Sequence, residues 1–278
     1  MAGYQRPARL NEALAALAAA PCTILAGGTD FYPARVGRPP DDDILDITAV
    51  SELRKLREEG EYWRIPALTT WTEIVEAALP PYFRGLQLAA REVGGVQIQN
   101  AGTVCGNVCN ASPAADGMPN LLALEAEVEL ASISGTRRLA LGAFVTGNRK
   151  TARRPDELVT GILIPKPRTA ARATFRKLGA RKYLVISIVM SAAVIEIDRE
   201  AISAARVAVG ACSAVAQRLP LLERELIGRR LDERLPDAVA AHHLAPLAPI
   251  DDVRGTADYR NDAAVTLLRR TLSDLARA

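Results

Sequence analysis

Two glycine-bearing segments carry residue types suited to binding an anion. The first, Gly27-Gly28-Thr29-Asp30, follows the short apolar run 23–26, which predicts a buried strand. Paired glycines at a strand end can present successive backbone N–H groups to an anion, because no Cβ blocks its approach. Thr29 adds a hydroxyl donor, and Asp30 can cap the following turn or accept a hydrogen bond from a sugar hydroxyl. A plain tight turn is the alternative interpretation, and this segment alone does not decide between the two.

The second segment, residues 102–116, is dense in small and polar residues and predicts a long loop between two apolar segments. Small residues let a ligand approach the backbone closely, and polar side chains supply donors and acceptors at Thr103, Asn107, Ser112 and Asp116. A surface loop of Asx and Ser turns is the alternative. A loop of this length inside a compact domain is more often functional, which favours a ligand site.

Patterns for other kinds of chemistry are absent from the sequence. It contains no GxGxxG, GxxxxGK(S/T), HExxH or GxSxG pattern, so the usual nucleotide, zinc-protease and hydrolase signatures do not apply. The two histidines, His242 and His243, fall in a predicted polar helix and are expected to face solvent. The cysteines lack CxxC spacing, so neither a disulfide framework nor a metal site is predicted for Cys22, Cys105, Cys109 and Cys212.

The composition is that of an ordinary globular protein. Apolar residues make up 49% and charged residues 24% of the 278 residues, and the net charge of +3 is too small and too scattered for a nucleic-acid face. The N-terminal residues have no apolar core of signal-peptide length, and the longest apolar-rich run, 185–197, is too short to span a bilayer. We therefore expect a cytoplasmic protein with no membrane span and no nucleic-acid partner.

The periodicity of apolar residues predicts an α+β fold in two domains. Predicted helices begin near Asn11 and otherwise cover 72–78, 82–91, 119–126, 219–227, 234–244 and 263–276. Predicted strands cover 23–26, 44–47, 63–68, 128–131, 137–141, 158–164, 173–177, 189–197 and 204–209. The two prolines in 165–168 predict a linker. The expected domains are 1–167, with subdomains at about 1–55 and 56–167, and 168–278.

Five motifs in a fixed order resemble the FAD-binding medium subunit of the molybdenum hydroxylases, the xanthine dehydrogenase and carbon monoxide dehydrogenase family. The resemblance covers essentially the whole chain, and the order of the motifs makes it far more specific than any one of them. The motifs are Ile24–Asp30, Ile65–Thr70, Ile98–Asn107 followed by Asn110–Asp116, Phe175–Arg181, and Asp251–Arg254 with Tyr259-Arg260.

The resemblance implies a two-part FAD-binding domain of the vanillyl-alcohol-oxidase (PCMH) type, followed by a small α+β C-terminal domain. It implies that Asp116 bonds a hydroxyl of the flavin's sugar or ribityl portion, and that Lys177 and Arg181 lie towards the isoalloxazine. Binding should be noncovalent, since neither histidine is near the two loops, and no residue is assigned a catalytic role. The remaining implied FAD-binding residues, which include those of the two diphosphate loops, are Leu25, Ala26, Gly27, Gly28, Thr29, Asp30, Thr103, Val104, Cys105, Gly106, Asn107 and Ser112.

Two positions depart from the family pattern. Cys105 stands where the family usually has a glycine, and Pro66 replaces the glycine of another motif. If the Cys105 position required a positive φ, the substitution would be strained. We therefore expect either an ordinary backbone there or a slightly shifted diphosphate.

The resemblance also implies an electron-transfer role. In the family, substrate is oxidised at a molybdenum cofactor in a large subunit, and electrons cross two [2Fe–2S] clusters in a small subunit before they reach FAD. NAD, a quinone or oxygen is then the acceptor, and a dimer of heterotrimers is expected. Two alternatives stay open: a self-sufficient flavin oxidase, for which the chain lacks a substrate domain, and a non-catalytic scaffold or maturation factor with a degenerate flavin site, suggested by Cys105.

Overall fold

A computed structural model describes residues 3–37 and 41–277 of the chain. The helices among these residues are α1 Leu10–Ala19, α2 Trp71–Glu76, α3 Arg84–Glu92, α4 Val96–Ala101, α5 Val104–Asn110, α6 Gly117–Ala123, α7 Leu141–Phe144, α8 Pro220–Leu226 and α9 Ala257–Arg277. The strands are β1 Tyr4–Gln5, β2 Thr23–Leu25, β3 Ile44–Asp46, β4 Arg57–Glu59, β5 Tyr62–Pro66, β6 Glu127–Ser132, β7 Gly135–Ala140, β8 Val145–Gly147, β9 Lys150–Thr151, β10 Leu158–Pro165, β11 Ala170–Leu178, β12 Val189–Asp198, β13 Ala201–Gly210 and β14 Gln217–Arg218.

A small parallel sheet in the order β1-β3-β2 begins the fold. Its central strand places Leu45 in the core, where α1 also buries Ala13 and Leu17 at helical spacing. Parallel pairing sets Leu25 opposite Asp46, so the chain leaves β2 at the same edge where it leaves β3. The first glycine-bearing segment therefore starts at the carboxyl edge of this sheet.

The second sheet is antiparallel, in the order β4-β5-β10-β6-β7, and contains a buried ion pair that spans its central strand. Arg64 on β5 donates two hydrogen bonds to Glu129 on β6, at 2.7 and 2.9 Å. Gly161 on β10 lies between them, and a Cβ there would be 3.3 Å from an Arg64 guanidinium nitrogen. The hydrogen bonds from Arg64 lower the pKa of Glu129 to about 2.

The third sheet, β11-β12-β13-β14, is buried on both faces. One face, which includes Phe175 and Val194, belongs to the same apolar core as α2, α3 and α6. The other face, which includes Val207, packs with the apolar sides of α8 and α9. Burial on both faces explains why β12 is an almost continuous apolar run and does not alternate polar and apolar residues.

Close backbone packing joins the first half of the chain to this third sheet. Gly85 on α3 lies against β11, so that a Cβ there would be 3.0 Å from the Thr174 carbonyl oxygen and 2.7 Å from the Asn120 side chain. The predicted linker 165–168 falls at the connection from β10 to β11. The division into domains at residue 167 stays a prediction, since a single apolar core includes residues from both sides of it.

Two sequence-based predictions of local structure are wrong. The long loop predicted over 102–116 is not irregular throughout, because residues 104–110 form α5, and α4 directly precedes Gly102. Both helices are too short to show a helical period in the sequence. Residues 234–244 form two separate 3₁₀ turns, Leu235–Ala238 and Ala241–Leu244, instead of one helix. Val239 and Ala240 are extended between them, and the Ala240 N–H donates to His243 Nδ1 at the start of the second turn.

Among residues 3–37 and 41–277, no helix has both the length and the apolar character needed to cross a membrane.

The ion pair across β10 predicts a pH-dependent contribution to stability. Glu129→Gln leaves Arg64 partly unpaired and should lower the free energy of unfolding by about 3 kcal/mol near neutral pH. Because the folded-state pKa of Glu129 lies below its ordinary value of 4.5, this contribution is complete well above pH 4.5 and is lost as the pH falls towards about 2. Urea unfolding of both proteins at several pH values measures the difference.

Glu127→Gln is the matched control, since Glu127 lies two residues earlier on β6 and forms no ion pair or side-chain hydrogen bond with the described residues. An equal loss in both variants, or a difference that does not shrink in acid, would contradict the assignment.

Candidate functional site

A cleft of about 840 Å³ opens between the turn after β2, the helices α4 and α5, and the beginning of β10. Its volume lies in the range typical of sites for organic cofactors. Both glycine-bearing segments line it, so the structure brings together two regions about 75 residues apart in sequence. The elements that meet here come from the first two sheets, and the cleft follows their junction.

The turn after β2 is formed by backbone packed unusually close to its neighbour. A Cβ at Gly27 would lie 1.9 Å from the Ala101 carbonyl oxygen, so only glycine fits at that position. Gly28 has a φ of +69°, which glycine adopts without strain. The amide N–H groups of Gly27, Gly28 and Thr29 donate no hydrogen bond to any described residue. This turn therefore presents consecutive free donors at the edge of the cleft.

The second segment is organised by a helix cap. Thr103 precedes α5, and its hydroxyl accepts a hydrogen bond from the Gly106 N–H at 3.0 Å. Gly106 is required at this distance, since a Cβ there would lie 2.7 Å from the Thr103 hydroxyl oxygen. The N–H groups of Thr103 and Cys105 find no acceptor among the described residues. This side of the cleft also offers free backbone donors.

Cys105 is accommodated without backbone strain. It lies in α5, has no positive φ and is 2% exposed. Its Sγ lies 3.8 Å from the Ile65 carbonyl oxygen, and burial raises the pKa of the thiol well above its usual value. Of the two expectations for this position, the ordinary backbone is correct.

One polar atom in the cleft wall has no partner. Asn107 Oδ1 is buried and accepts no hydrogen bond, although a buried amide oxygen normally has a donor. Asn107 lines the cleft beside Gly106. That oxygen lies beside Gly117 and is not open to the cleft. Free amide donors on two sides and a turn in which only glycine fits suit a ligand with an anionic centre.

Asp116, Lys177 and Ser187 come together in a buried cluster between the two halves of the chain. The Asp116 carboxylate lies 2.6 Å from Lys177 Nζ and accepts a hydrogen bond from the Ser187 hydroxyl at 2.7 Å. Burial raises the pKa of Asp116, against the opposing effect of the Lys177 ammonium. Lys177 lies near the end of β11, and Ser187 lies just before β12 begins. The Asp116 carboxylate therefore contacts both ends of the β11–β12 connection.

The structure separates the predicted cofactor residues into two groups. Those that line the cleft are Leu25, Ala26, Gly27, Gly28, Thr29, Asp30, Thr103, Cys105, Gly106 and Asn107. Val104 is fully buried, Ser112 accepts from the Ala114 N–H, and Asp116 is held by Lys177. Lys177 and Arg181 border a second, smaller cavity of about 530 Å³ beside α3 and β11.

Several further residues line the cleft that the sequence did not single out as cofactor-binding residues, although some of them, such as Ile24 and Gly102, lie within the motifs. They are Cys22, Thr23, Ile24, Phe31, Pro33, Ala34, Arg35, Ile47, Ala67, Trp71, Val93, Ile98, Gly102, Cys109, Asn110, Arg149, Arg153, Leu158 and Val159. For Cys109 and Asn110, a helical reading of the second segment would have placed them on the same element as Cys105. Most of the remaining residues lie on strands and turns that only the tertiary fold brings to the cleft.

The two histidines lie outside the cleft, beside Glu225. The expectation that His243 faces solvent is wrong, because it is 1% exposed, whereas His242 is exposed. His243 Nε2 lies 3.2 Å from the Glu225 carboxylate, and this contact lowers the pKa of Glu225. Because Nδ1 accepts from the Ala240 N–H, the ring proton of neutral His243 is on Nε2. That nitrogen therefore offers no lone pair to a metal ion, although the three side chains are close together.

The Asp116–Lys177 pair predicts a coupling between the two halves of the chain. Lys177→Met leaves a buried carboxylate without its cation and should lower the free energy of unfolding by about 3 kcal/mol at neutral pH. The loss should shrink as the pH falls, because the unpaired carboxyl takes up a proton. Denaturant unfolding measures the loss, and Lys182→Met at an exposed position is the control. The double variant Asp116→Asn/Lys177→Met should lose less unfolding free energy than the sum of the two single variants. Additive losses would rule out the coupling.

Comparison with known proteins assigns the whole chain. A family model described as the FAD binding domain in molybdopterin dehydrogenase matches residues 1–167, and one described as the CO dehydrogenase flavoprotein C-terminal domain matches residues 173–275. The chain is 36% identical over 183 residues to the nicotinate dehydrogenase FAD-subunit of Eubacterium barkeri, a match that covers 64% of this chain and 62% of that protein.

Two further similarities extend over nearly the full length. The chain is 31% identical over 283 residues to the carbon monoxide dehydrogenase medium chain of Afipia carboxidovorans, covering 97% of this chain and 94% of the relative. A solved structure of reconstituted CO dehydrogenase from Oligotropha carboxidovorans contains a chain that superimposes with a TM-score of 0.89 at 27% identity, covering 100% and 98% of the two chains. The chain therefore belongs to the family of FAD-binding medium subunits of the molybdenum hydroxylases.

Proposed function

We propose that this chain holds FAD in the cleft between the turn after β2 and the beginning of α5. The observation that carries the proposal is the set of free amide donors on both sides of the cleft, at Gly27–Thr29 and at Thr103 and Cys105. Backbone N–H groups that converge on one space, with no side chain in the way, stabilise an anion such as a diphosphate. Membership of the family supports FAD as the molecule that carries it.

Each predicted residue has a role in this proposal. Leu25 and Ala26 position the first turn, and Asp30 with Thr29 supplies side-chain hydrogen bonds at its end. Val104 anchors α5 in the core, and Asn107 forms part of the cleft wall. Ser112 shapes the turn that leads to Asp116. Asp116 would bond a hydroxyl of the flavin's sugar or ribityl portion, and Lys177 and Arg181 would lie towards the isoalloxazine. The present contacts of these residues hold the β11–β12 connection in place.

When bound, FAD supplies the redox chemistry, accepting electrons from the [2Fe–2S] clusters of a partner subunit and passing them to an acceptor such as NAD. The residues of this chain bind and orient the cofactor, and no side chain need act as an acid or base. Cys105 stays protonated near neutral pH, because burial raises the pKa of its thiol. Its sulfur then provides no anion that would repel the diphosphate.

We propose further that the chain works in a complex with a molybdenum-containing large subunit and a [2Fe–2S] small subunit, as a dimer of heterotrimers. Relatives named as medium subunits or medium chains support this, because such names describe one member of a larger assembly. The substrate of the complex is not specified by this chain, since relatives carry names as different as nicotine hydroxylase and carbon monoxide dehydrogenase. The scaffold alternative is not favoured, since Cys105 lies in ordinary helical backbone.

Gly27→Ala tests the cradle directly. The added Cβ would collide with the Ala101 carbonyl oxygen and push the two sides of the cleft apart, so FAD affinity should fall by about a hundredfold or more. Titration of the flavin-free chain with FAD, followed by fluorescence, measures the dissociation constant.

Gly142→Ala provides the control, because a Cβ there would meet only Leu122 at an ordinary 3.8 Å. If the purified chain shows no flavin absorbance even after FAD is added, the proposal fails. If Gly27→Ala binds FAD as tightly as the unaltered chain, the site lies elsewhere.

The acceptor is tested on the assembled complex. Anaerobic addition of NADH should bleach the flavin absorbance, since electron transfer between NAD and the bound flavin is reversible. Dithionite is the positive control, because it reduces flavin whatever the natural acceptor is. Bleaching by dithionite but not by NADH would eliminate NAD and leave a quinone or oxygen.

A further inference from the structure

Two guanidinium groups at one end of the cleft have no carboxylate partner among the described residues. Arg149 lies between strands β8 and β9, and Arg153 follows β9. Both line the cleft, and neither forms an ion pair. Arg35, which also lines the cleft, differs from them because it is paired with Asp42 at 3.0 Å. Arg149 and Arg153 therefore give this end of the cleft a positive charge that the described residues do not neutralise.

The Arg153 guanidinium is fixed in place by backbone carbonyls. One terminal nitrogen donates to the carbonyl oxygens of Arg154, Pro155 and Glu157, at 3.0, 3.3 and 2.8 Å. The other two nitrogens have no acceptor among the described residues. Because an arginine side chain is always charged, the group keeps free donors and a full positive charge in a fixed position.

Arg149 is held by the end of α5. Its N–H donates to the Ala111 carbonyl oxygen at 2.9 Å, and its side chain donates to Asn110 Oδ1. Ala111 and Arg149 both have positive φ values, +48° and +57°. A non-glycine residue in this region is strained and persists only where neighbouring contacts enforce it. The tip of the β8–β9 hairpin is therefore tied to the helix that borders the cleft.

Arg149 contacts the C-terminal end of α5 through Asn110, whereas the proposed diphosphate cradle lies at the beginning of that helix. Cys109 follows Cys105 by four residues on α5, which places it one turn further along the same side of the helix. Arg153 follows β9, whose pairing with β8 brackets Arg149, so both arginines belong to the same hairpin region at the border of the cleft. Leu158 and Val159 line the cleft here as well and add an apolar surface.

We propose that Arg149 and Arg153 form a cationic subsite for the ADP half of the dinucleotide, and that this subsite makes the chain prefer FAD to FMN. The inference rests on the proposed function. FMN shares the flavin and one phosphate with FAD but lacks the AMP portion, which would occupy this end of the cleft. Charges inside a cleft are screened less than charges on an open surface, so two unpaired guanidinium groups attract a diphosphate strongly.

The test compares three ligands on the full-length, flavin-free chain: FAD and FMN by fluorescence titration, and ADP by competition with FAD. The double variant Arg149→Ala/Arg153→Ala should bind FAD about tenfold or more weakly, as expected for the loss of one or two charge-assisted hydrogen bonds. FMN affinity should stay within about twofold, which is the size of a change carried by distant charge alone. ADP should compete with FAD less well on the double variant than on the unaltered chain. Added salt should also weaken FAD binding less in the double variant than in the unaltered chain.

Arg154→Ala is the matched control, because Arg154 is the exposed neighbour whose side chain makes no hydrogen bond to the described residues. It should leave all three affinities unchanged. A thermal melt of each variant identifies any loss of fold, and the single variants Arg149→Ala and Arg153→Ala replace the double variant if it melts early.

Each possible result bears on the inference. A lower FAD affinity with an unchanged FMN affinity supports it. An unchanged ratio of FAD to FMN affinity, whether both fall together or neither falls, overturns it while leaving the proposed function intact. Failure of the unaltered chain to bind either flavin overturns the proposed function itself.

Discussion

The shape of the cleft depends on the close approach of the Gly27 backbone to the Ala101 carbonyl oxygen. It brings the carboxyl edge of the first sheet against the junction of α4 and α5, with no room for a side chain between them. Both segments line the same cleft, and several of their amide N–H groups have no acceptor among the described residues. The cap at Thr103 and the glycine at 106 then set the direction of α5 away from this contact. The shape of the cleft follows from backbone packing more than from side-chain chemistry.

The second half of the chain packs against the core of the first half. The sheet β11–β14 buries one face in the core of the first half and the other under α8 and α9, so it is a central layer and not an appended unit. Polar contacts reinforce the apolar ones: Asp116 joins Lys177 and Ser187, and Arg260 donates to the carbonyl oxygens of Ile188 and Ala211. The C-terminal motif that contains Arg260 therefore supports the segment next to Asp116.

Much of the fold was legible in the sequence, and the exceptions have physical causes. The long strands and α9 were predicted because their apolar pattern extends over many residues. Helices α4 and α5 were missed because six or seven residues rich in small and polar types show no period. The turn at Gly27 was identified as a possible cradle, but the order of several motifs was needed to choose that interpretation. The basic cluster that contains Arg149 and Arg153 is typical of a solvated loop in the sequence, and only the pairing of β8 with β9 and the αL backbone at Ala111 bring these residues to the cleft.

The Asp116 cluster has a consequence for motion in the β11–β12 connection. Its two stems, at Lys177 and Ser187, are bound to the same carboxylate, whereas Tyr183, Leu184 and Ile186 at its tip are about half exposed. Fluctuation is therefore confined to the tip, which can rearrange while the stems stay closed, since opening them requires both contacts to break together. Contacts with the Asp116 carboxylate, which belongs to the first half of the chain, therefore limit the motion of the connection.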